Sequence, residues 1–251
     1  YREVVLTGIH LGRYGRDLLP PATLLDLLQQ ARNQQSIDRL RLSSIEPLEL
    51  TQAIIQLAAE PAGAEVEICR HFHIPLQSGD NAILQKMNRP YRRETFQDLV
   101  SDIKKAVPDA GIGCDVLIGF PGETDEAFAN TRQLIEELPL TYLHVFPFSP
   151  REGTPASRFP GQVSQQVIKE RCRQIRELGQ SKRTAFLTGQ AGCSATVLVE
   201  NRRDRRTGRL KGITSNYITV LLEGNDALMN TFQEVRLMGL HDDQTMIGSI
   251  A

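Results

Sequence analysis

The chain has 251 residues, 40% of them hydrophobic, with 29 lysines and arginines against 30 aspartates and glutamates and a formal net charge of −1. That length supports a sizeable core shared between one large and one small domain, and the balanced charge excludes a uniformly basic nucleic-acid binder, so an RNA partner must be met by a local patch. No apolar run approaches the roughly 18 residues of a membrane span, and four cysteines at 69, 114, 172 and 193 without short spacing make neither a disulfide framework nor a CxxC-type site, which points to the reducing cytoplasm.

Val4 to Leu6 form a first strand that ends at Thr7-Gly8. Tyr1 is not a start methionine and REVVLTG is already strand by residue 3, so the chain reads as cut from something longer. A polar loop, IHLGRYGRD, follows, and Leu24, Leu25, Leu28 and Ala31 then recur at helical spacing. The pattern repeats with RLRLSS (39 to 44) as strand, SIEP as loop, and Ala53, Ile54, Leu57 and Ala58 as a helix face. A third strand near 69 to 74 ends at HIPLQSGD, before a short helix marked by Ala82, Ile83 and Met87 and another marked by Phe96, Leu99, Val100 and Ile103.

DVLIGFPGET (115 to 124) packs a strand, a turn and a helix start into one stretch. Val116, Leu117 and Ile118 suit a strand covered on both faces. Pro121 and Gly122 suit positions i+1 and i+2 of a type II turn, because Pro presets φ and Gly accepts a positive one. Thr124 is a good N-cap, and Asp125 and Glu126 complement the helix dipole. Leu134, Ile135 and Leu138 line the next helix, and YLHVFPFSP (142 to 150) is the last strand of the series.

Strands alternating with helices predict an α/β fold with a parallel sheet and right-handed crossovers, as a complete or partial (β/α) barrel, with a doubly wound sheet as the alternative. Either way Thr7, Ser43, Ser44, Glu46, Gln77, Ser78, Asp115, Gly119 and Ser149 gather at one edge. From 160 onward comes a basic helix with Val167, Ile168, Ile175, Leu178 and Phe186 apolar. Beyond Gly192, SATVLVE, SNYITVLLE and FQEVRLMGL alternate with period two and predict a small all-β barrel. The expected organisation is therefore 1–160, 161–190 as connecting helix, and 191–251.

HIPLQSGDNAILQKMNRPY (73 to 91), DVLIGFPGETDEAF (115 to 128) and HVFPFSPREGTPA (144 to 156), in that order, closely resemble the radical S-adenosylmethionine methylthiotransferases. RLSSIEP (41 to 47) resembles the branch acting on threonylcarbamoyladenosine in tRNA, and the tail resembles the RNA-binding TRAM barrel. The resemblance implies a partial radical SAM (β/α) barrel without its first strand, and a tRNA-modifying transferase that places a methylthio group on adenine C2 next to the anticodon. The alternatives are the isopentenyladenosine or ribosomal-protein branches, or an RNA-binding fragment without activity.

The implied cofactors are S-adenosylmethionine and [4Fe-4S] clusters. The family's CxxxCxxC motif is absent from the chain, so the fragment alone is expected to be inactive. By the same resemblance Thr7-Gly8 offers backbone to the methionine amino group, Ser43, Ser44 and Glu46 meet ribose or amino-acid atoms, Ile118 and Gly119 lie against adenine, and Phe148 offers an apolar face. Gln77, Ser78 and Asp115 complete the expected cofactor-binding set. Each also has a plain structural reading: Ser44 and Glu46 as helix caps, Ile118 and Phe148 as core, and Asp115 as a contact to a neighbouring strand.

The partner implied is the tRNA anticodon stem-loop. Arg202, Arg203, Arg205, Arg206, Arg209 and Lys211 in RRDRRTGRLK are the candidate RNA contacts, with a solvated loop as the alternative, and Tyr217 is either a base-stacking residue or core. His71 and His73 share a strand face but lack a third ligand in sequence, so no metal site is expected. The cysteines are expected in the core, and the apolar edge strand at residues 3 to 7 is expected to invite self-association.

Overall fold

In the computed structural model, which describes residues 1–33, 37–60 and 66–250, the first unit is a curled parallel sheet with helices on its convex side. β1 (Glu3–Leu6) pairs with β2 (Arg39–Leu42), and β2 with β3 (Glu67–Ile68), all parallel. β4 (His71–His73), β5 (Gly111–Ile118) and β6 (Tyr142–Pro147) form a second parallel group. The groups meet where the Cys69 amide donates to the Leu40 carbonyl at 2.7 Å and the Ile45 amide to the His73 carbonyl at 3.0 Å.

Within the strand expected at 69 to 74 only β4 forms, and a separate β3 ends just before it at Ile68. β3 pairs backward to β2 and β4 pairs forward to β5, with Cys69 and Arg70 between them. The remaining expectations of alternation hold. α1 (Leu24–Arg32), α2 (Gln52–Ala59), α3 (Asn81–Lys86), α4 (Arg93–Ala106) and α5 (Asp125–Glu137) fall between the strands. The result is a partial (β/α) barrel rather than a doubly wound sheet.

Local chemistry sets the boundaries. Thr23 and Asp26 form a capping box that starts α1. The Thr124 hydroxyl accepts from the Ala127 amide at the start of α5, a cap worth about 1 kcal/mol. The turn before it forms as expected: Glu123 N–H donates to the Phe120 carbonyl at 2.9 Å, and Gly122 sits at φ 87°. Leu40, Leu42, Phe72, Ile112, Cys114, Val116 and Ile118 point to the helices and form the main core with Leu28, Phe96, Val100 and Leu134.

α6 (Gln165–Gly189) crosses against β6 and leads to a closed five-stranded barrel of β7 (Ser194–Arg203), β8 (Leu210–Thr214), β9 (Thr219–Leu222), β10 (Phe232–Leu240) and β11 (Thr245–Ile250). Its order is β10-β11-β9-β8-β7, antiparallel except for β9 with β11. Inward residues Val197, Val199, Leu210, Val220, Val235 and Leu237 fill it. Among the described residues, no helix is long and apolar enough to cross a membrane.

The small barrel is packed under the open side of the sheet. Arg39, fully buried, has Nε 2.9 Å from Glu67 and reaches the Thr196 and Ile213 carbonyls of the barrel. Arg41 forks onto both Glu3 oxygens at 2.8 and 3.1 Å and donates to the Thr214 and Ser215 carbonyls at 3.0 Å each. At Gly111 the two units approach so closely that a Cβ would stand 2.3 Å from the Asn216 carbonyl oxygen.

Removing one member of a buried ion pair strands the other, at a cost of about 3–5 kcal/mol. Arg39→Met is therefore expected to lower the unfolding free energy by about 3 kcal/mol or more, measured by urea denaturation. A loss under about 1 kcal/mol would place the docking energy elsewhere.

Candidate active site

Because side chains alternate along a strand, the residues that do not enter the helix-side core face the concave side of the sheet. These include Glu3 and Val5 on β1, Arg41 on β2, His71 and His73 on β4, Asp115 on β5, and Tyr142, His144 and Phe146 on β6. With Ser43, Ser44 and Tyr217 they line a cavity of about 530 Å3.

The polar groups there form a connected chain. His71 Nε2 stands 2.8 Å from the Tyr142 hydroxyl, and His73 Nδ1 stands 2.9 Å from the same oxygen. His73 Nε2 lies 2.8 Å from Asp115 Oδ1, and His144 Nδ1 lies 3.3 Å from that oxygen. The rings also stack: Tyr217 on His71 with centroids 4.3 Å apart, and His73 beside His144 at 4.9 Å. Tyr217 holds φ 69° and lies under the Arg41 guanidinium. It is neither barrel core nor a free stacking platform; its ring belongs to the floor of the cavity.

Burial sets the protonation of this chain. Burial first, and then Arg41 and His73, push the His71 imidazole well below its usual value, so it is neutral. Burial pushes the Asp115 carboxyl up, but the hydrogen bond and charge of His73, with His144 behind, outweigh that and hold it below the carboxylate range. Burial raises the Tyr142 phenol, which stays protonated and able to donate.

The residues expected from sequence fall into different places. Ser43, Ser44 and Asp115 line the cavity, and among the described residues Ser43 Oγ is buried without a hydrogen-bond partner. Ser43 N–H donates to the Leu6 carbonyl at 2.9 Å, which sets Thr7 and Gly8 beside Ser43 at the strand ends. Glu46 accepts from Arg89 at 2.9 Å and lines a second cavity of about 660 Å3 with His10, Arg13 and Arg16. Gln77, at φ 63°, lines a third of about 340 Å3 with Leu117, Phe120 and Phe159.

The others lie in packed surroundings. Ser78 is buried 3.3 Å from the Thr131 hydroxyl. Ile118 belongs to the helix-side core, and a Cβ at Gly119 would stand 2.3 Å from Ile168. Phe148 packs edge-on against Phe120. Gly119 N–H donates at 3.1 Å to buried Glu123, whose other partner is Arg171 on α6 at 2.7 Å. This stretch thus latches the sheet to α6.

The basic hairpin is largely neutralised. Arg202 and Lys211 face Glu200, Arg203 faces Asp226, Arg206 faces Asp242 and Arg209 faces Glu223. Of the six, only Arg205 has no ion pair among the described residues. Cys69, Cys114 and Cys172 are buried, whereas Cys193 is exposed on the small barrel, against the expectation that all four are core. Burial raises the Cys69, Cys114 and Cys172 thiols, which disfavours thiolate ligation. Among the described residues the three-member set with metal-ligand geometry is His73, Asp115 and His144, without a cysteine. The residues present therefore do not fit an iron–sulfur cluster.

Sequence reasoning passed over Tyr142, His144, Phe146 and Arg41. A signal was available: polar or aromatic residues at period two in strands that a fully buried parallel sheet would fill with aliphatics.

Residues 17–135 match the radical SAM superfamily. The chain is 35% identical over 239 residues to the tRNA-2-methylthio-N(6)-dimethylallyladenosine synthase of Pelotomaculum thermopropionicum, covering 95% of this chain and 52% of that protein. It is 33% identical over 240 residues to the threonylcarbamoyladenosine tRNA methylthiotransferase MtaB of Bacillus subtilis, again covering 95% and 52%. The chain thus spans about half the length of the curated relatives it matches. Coproporphyrinogen III oxidase (HemN) from Escherichia coli, a radical SAM enzyme, superposes with a TM-score of 0.48 at 19% identity, covering 63% of this chain and 36% of that one.

Because the His71 pKa is depressed in the folded state, its contribution is fully present above the ordinary value of 6.5 and is lost as pH falls below it. Stability should decline below that point by up to about 1.4 kcal/mol per pH unit from this group. Urea midpoints compared between about pH 7.5 and about pH 5.5 should fall further for the natural chain than for His71→Phe; equal falls would show that His71 carries no such penalty.

Proposed function

We propose that the chain, which matches the radical SAM superfamily over residues 17–135 and is similar to two tRNA-modifying enzymes of the methylthio-transferring kind, is the substrate-holding and RNA-facing part of an enzyme that adds a methylthio group to C2 of an adenosine in tRNA, beside the anticodon. The observation that carries this reading is the ring-lined cavity on the concave face of the sheet. His73, Tyr142, His144 and Phe146 supply aromatic faces for a purine, each base–ring contact being worth about 1–3 kcal/mol. Asp115 supplies an acceptor at its wall.

S-Adenosylmethionine supplies the radical and the methyl group in this family. Thr7, Gly8, Ser43 and Ser44 at the strand ends would hold it, and the unpartnered Ser43 hydroxyl suits that task. Tyr217 and Tyr142 form the floor, and the Asp115 carboxylate beside His73 offers an acceptor to the base.

The finer substrate in this reading is N6-threonylcarbamoyladenosine. Its threonyl group ends in a carboxylate, and a cavity of about 660 Å3 carries His10 and Arg16 beside Arg13 and Arg89, which are paired with Glu49 at 3.1 Å and Glu46 at 2.9 Å. An N6-dimethylallyl substituent is apolar and would suit the smaller cavity walled by Leu117, Phe120 and Phe159. RNA would be gripped through the hairpin of the small barrel, with Arg205 foremost.

The test uses the complete protein that contains this chain, with cofactors loaded, on tRNA bearing each substituent, and mass spectrometry of the digested nucleosides. Methylthio product on the threonylcarbamoyl substrate, falling at least about tenfold in His144→Ala and in Arg16→Ala, is expected. Product only on the dimethylallyl substrate would overturn the finer reading, and none on either would overturn the whole.

RNA binding is read separately. Binding of an anticodon stem-loop should weaken with salt, with Arg205→Ala lowering the log–log slope by roughly 0.7. A flat salt response would remove the hairpin from the interface.

A further inference from the structure

We propose that His73, Asp115 and His144 form a binding site for a single first-row divalent cation of the zinc or ferrous type. The ligand atoms of these side chains all lie within 4.8 Å of one another. They come from three adjacent parallel strands in register: Asp115 lies directly opposite His144, and His73 opposite Gly113. Residues two apart on a strand share a face, so all three side chains enter the same cavity.

The distances suit a common ion. Donors bound at about 2.0–2.2 Å to one metal stand roughly 3–3.5 Å apart. Here His73 Nε2 and His144 Nδ1 stand 2.8 and 3.3 Å from Asp115 Oδ1. The donor atoms, all within 4.8 Å of one another, close on a common ion by ring rotation at His144, whose side chain is 56% exposed. Two imidazoles with one carboxylate and open remaining positions is a donor set that favours zinc or ferrous iron over magnesium or calcium.

Charge points the same way. In this cavity Glu3 is matched by Arg41 and Arg39, whereas the charged or titratable partners of Asp115 are the imidazoles of His73 and His144. A divalent ion would take the place of the hydrogen bond between His73 Nε2 and Asp115 Oδ1. A His73 ring that ligates through Nε2 carries its proton on Nδ1, which faces the Tyr142 hydroxyl at 2.9 Å. That hydroxyl, also 2.8 Å from His71 Nε2, is the outer partner that orients a ligating histidine. The remaining coordination positions open into the cavity of about 530 Å3, where water or an oxygen or nitrogen donor of a bound molecule would sit.

The proposal is independent of tRNA modification, since its readout is metal binding by the chain itself. Metal-free chain is titrated with Zn2+ by calorimetry and with Co2+ by visible absorption. One equivalent should bind. Asp115→Asn and His144→Ala should each weaken binding by at least about tenfold, and Tyr142→Phe by about 10–100-fold. His241→Ala and Cys193→Ser, on the small barrel, should leave it unchanged. Urea melts check that the variants fold, and exposed His144 decides the matter if Asp115→Asn does not. The proposal is overturned by absence of saturable binding, by an affinity unchanged in His144→Ala, or by loss of the site in Cys193→Ser.

Discussion

Two buried guanidinium groups hold this structure in its working shape. A curled parallel sheet covered by helices on one side leaves the other side open, and here that side carries arginines as well as aliphatics. Taking such a charge out of water costs several kcal/mol unless it is paired. Arg39 and Arg41 meet this with Glu3 and Glu67 on neighbouring strands and with carbonyls of the small barrel. The barrel is therefore more than a module tethered by α6: its backbone completes the hydrogen bonding of the sheet, and that requirement fixes its position.

The fixed position has consequences for the cavity. With the barrel seated, Tyr217 lies between Arg41 and His71, and the polar chain continues through Tyr142 and His73 to Asp115 and His144. Depressed His71 and Asp115 pKa values follow from this packing, one through burial and the other through imidazole partners. At the far end of the sheet, Glu123 binds the Gly119 amide and Arg171, which ties the strand-turn-helix stretch to α6. The cavity is thus bounded below by the barrel and braced behind by the long helix, so the side chains that line it rest on rigid elements.

Some of this was legible in advance because it is local. Pro121 and Gly122 specify their turn, Thr124 caps its helix, and period-two alternation after Gly192 makes strands, whatever surrounds them. The broken third strand was not legible. Nothing in residues 67 to 74 says that Ile68 must pair with Leu40 while His71 pairs with Gly111. Ile118 and Phe148 show a second failure: position at a strand end does not tell which side of the sheet a side chain enters, and both joined packed clusters. The hairpin at 202 to 211 shows a third, since its acidic partners Glu200, Glu223, Asp226 and Asp242 all lie outside the basic run.

By itself the sequence determined the α/β alternation, the turn chemistry and the small β-barrel, and through three long motifs a family resemblance, because each depends on residues close together in the chain. Tertiary structure alone decided the rest. Asp115 became the meeting point of two histidines because parallel pairing brought three distant strands into register. Tyr217 became the floor of a cavity because two arginines needed the carbonyls beside it.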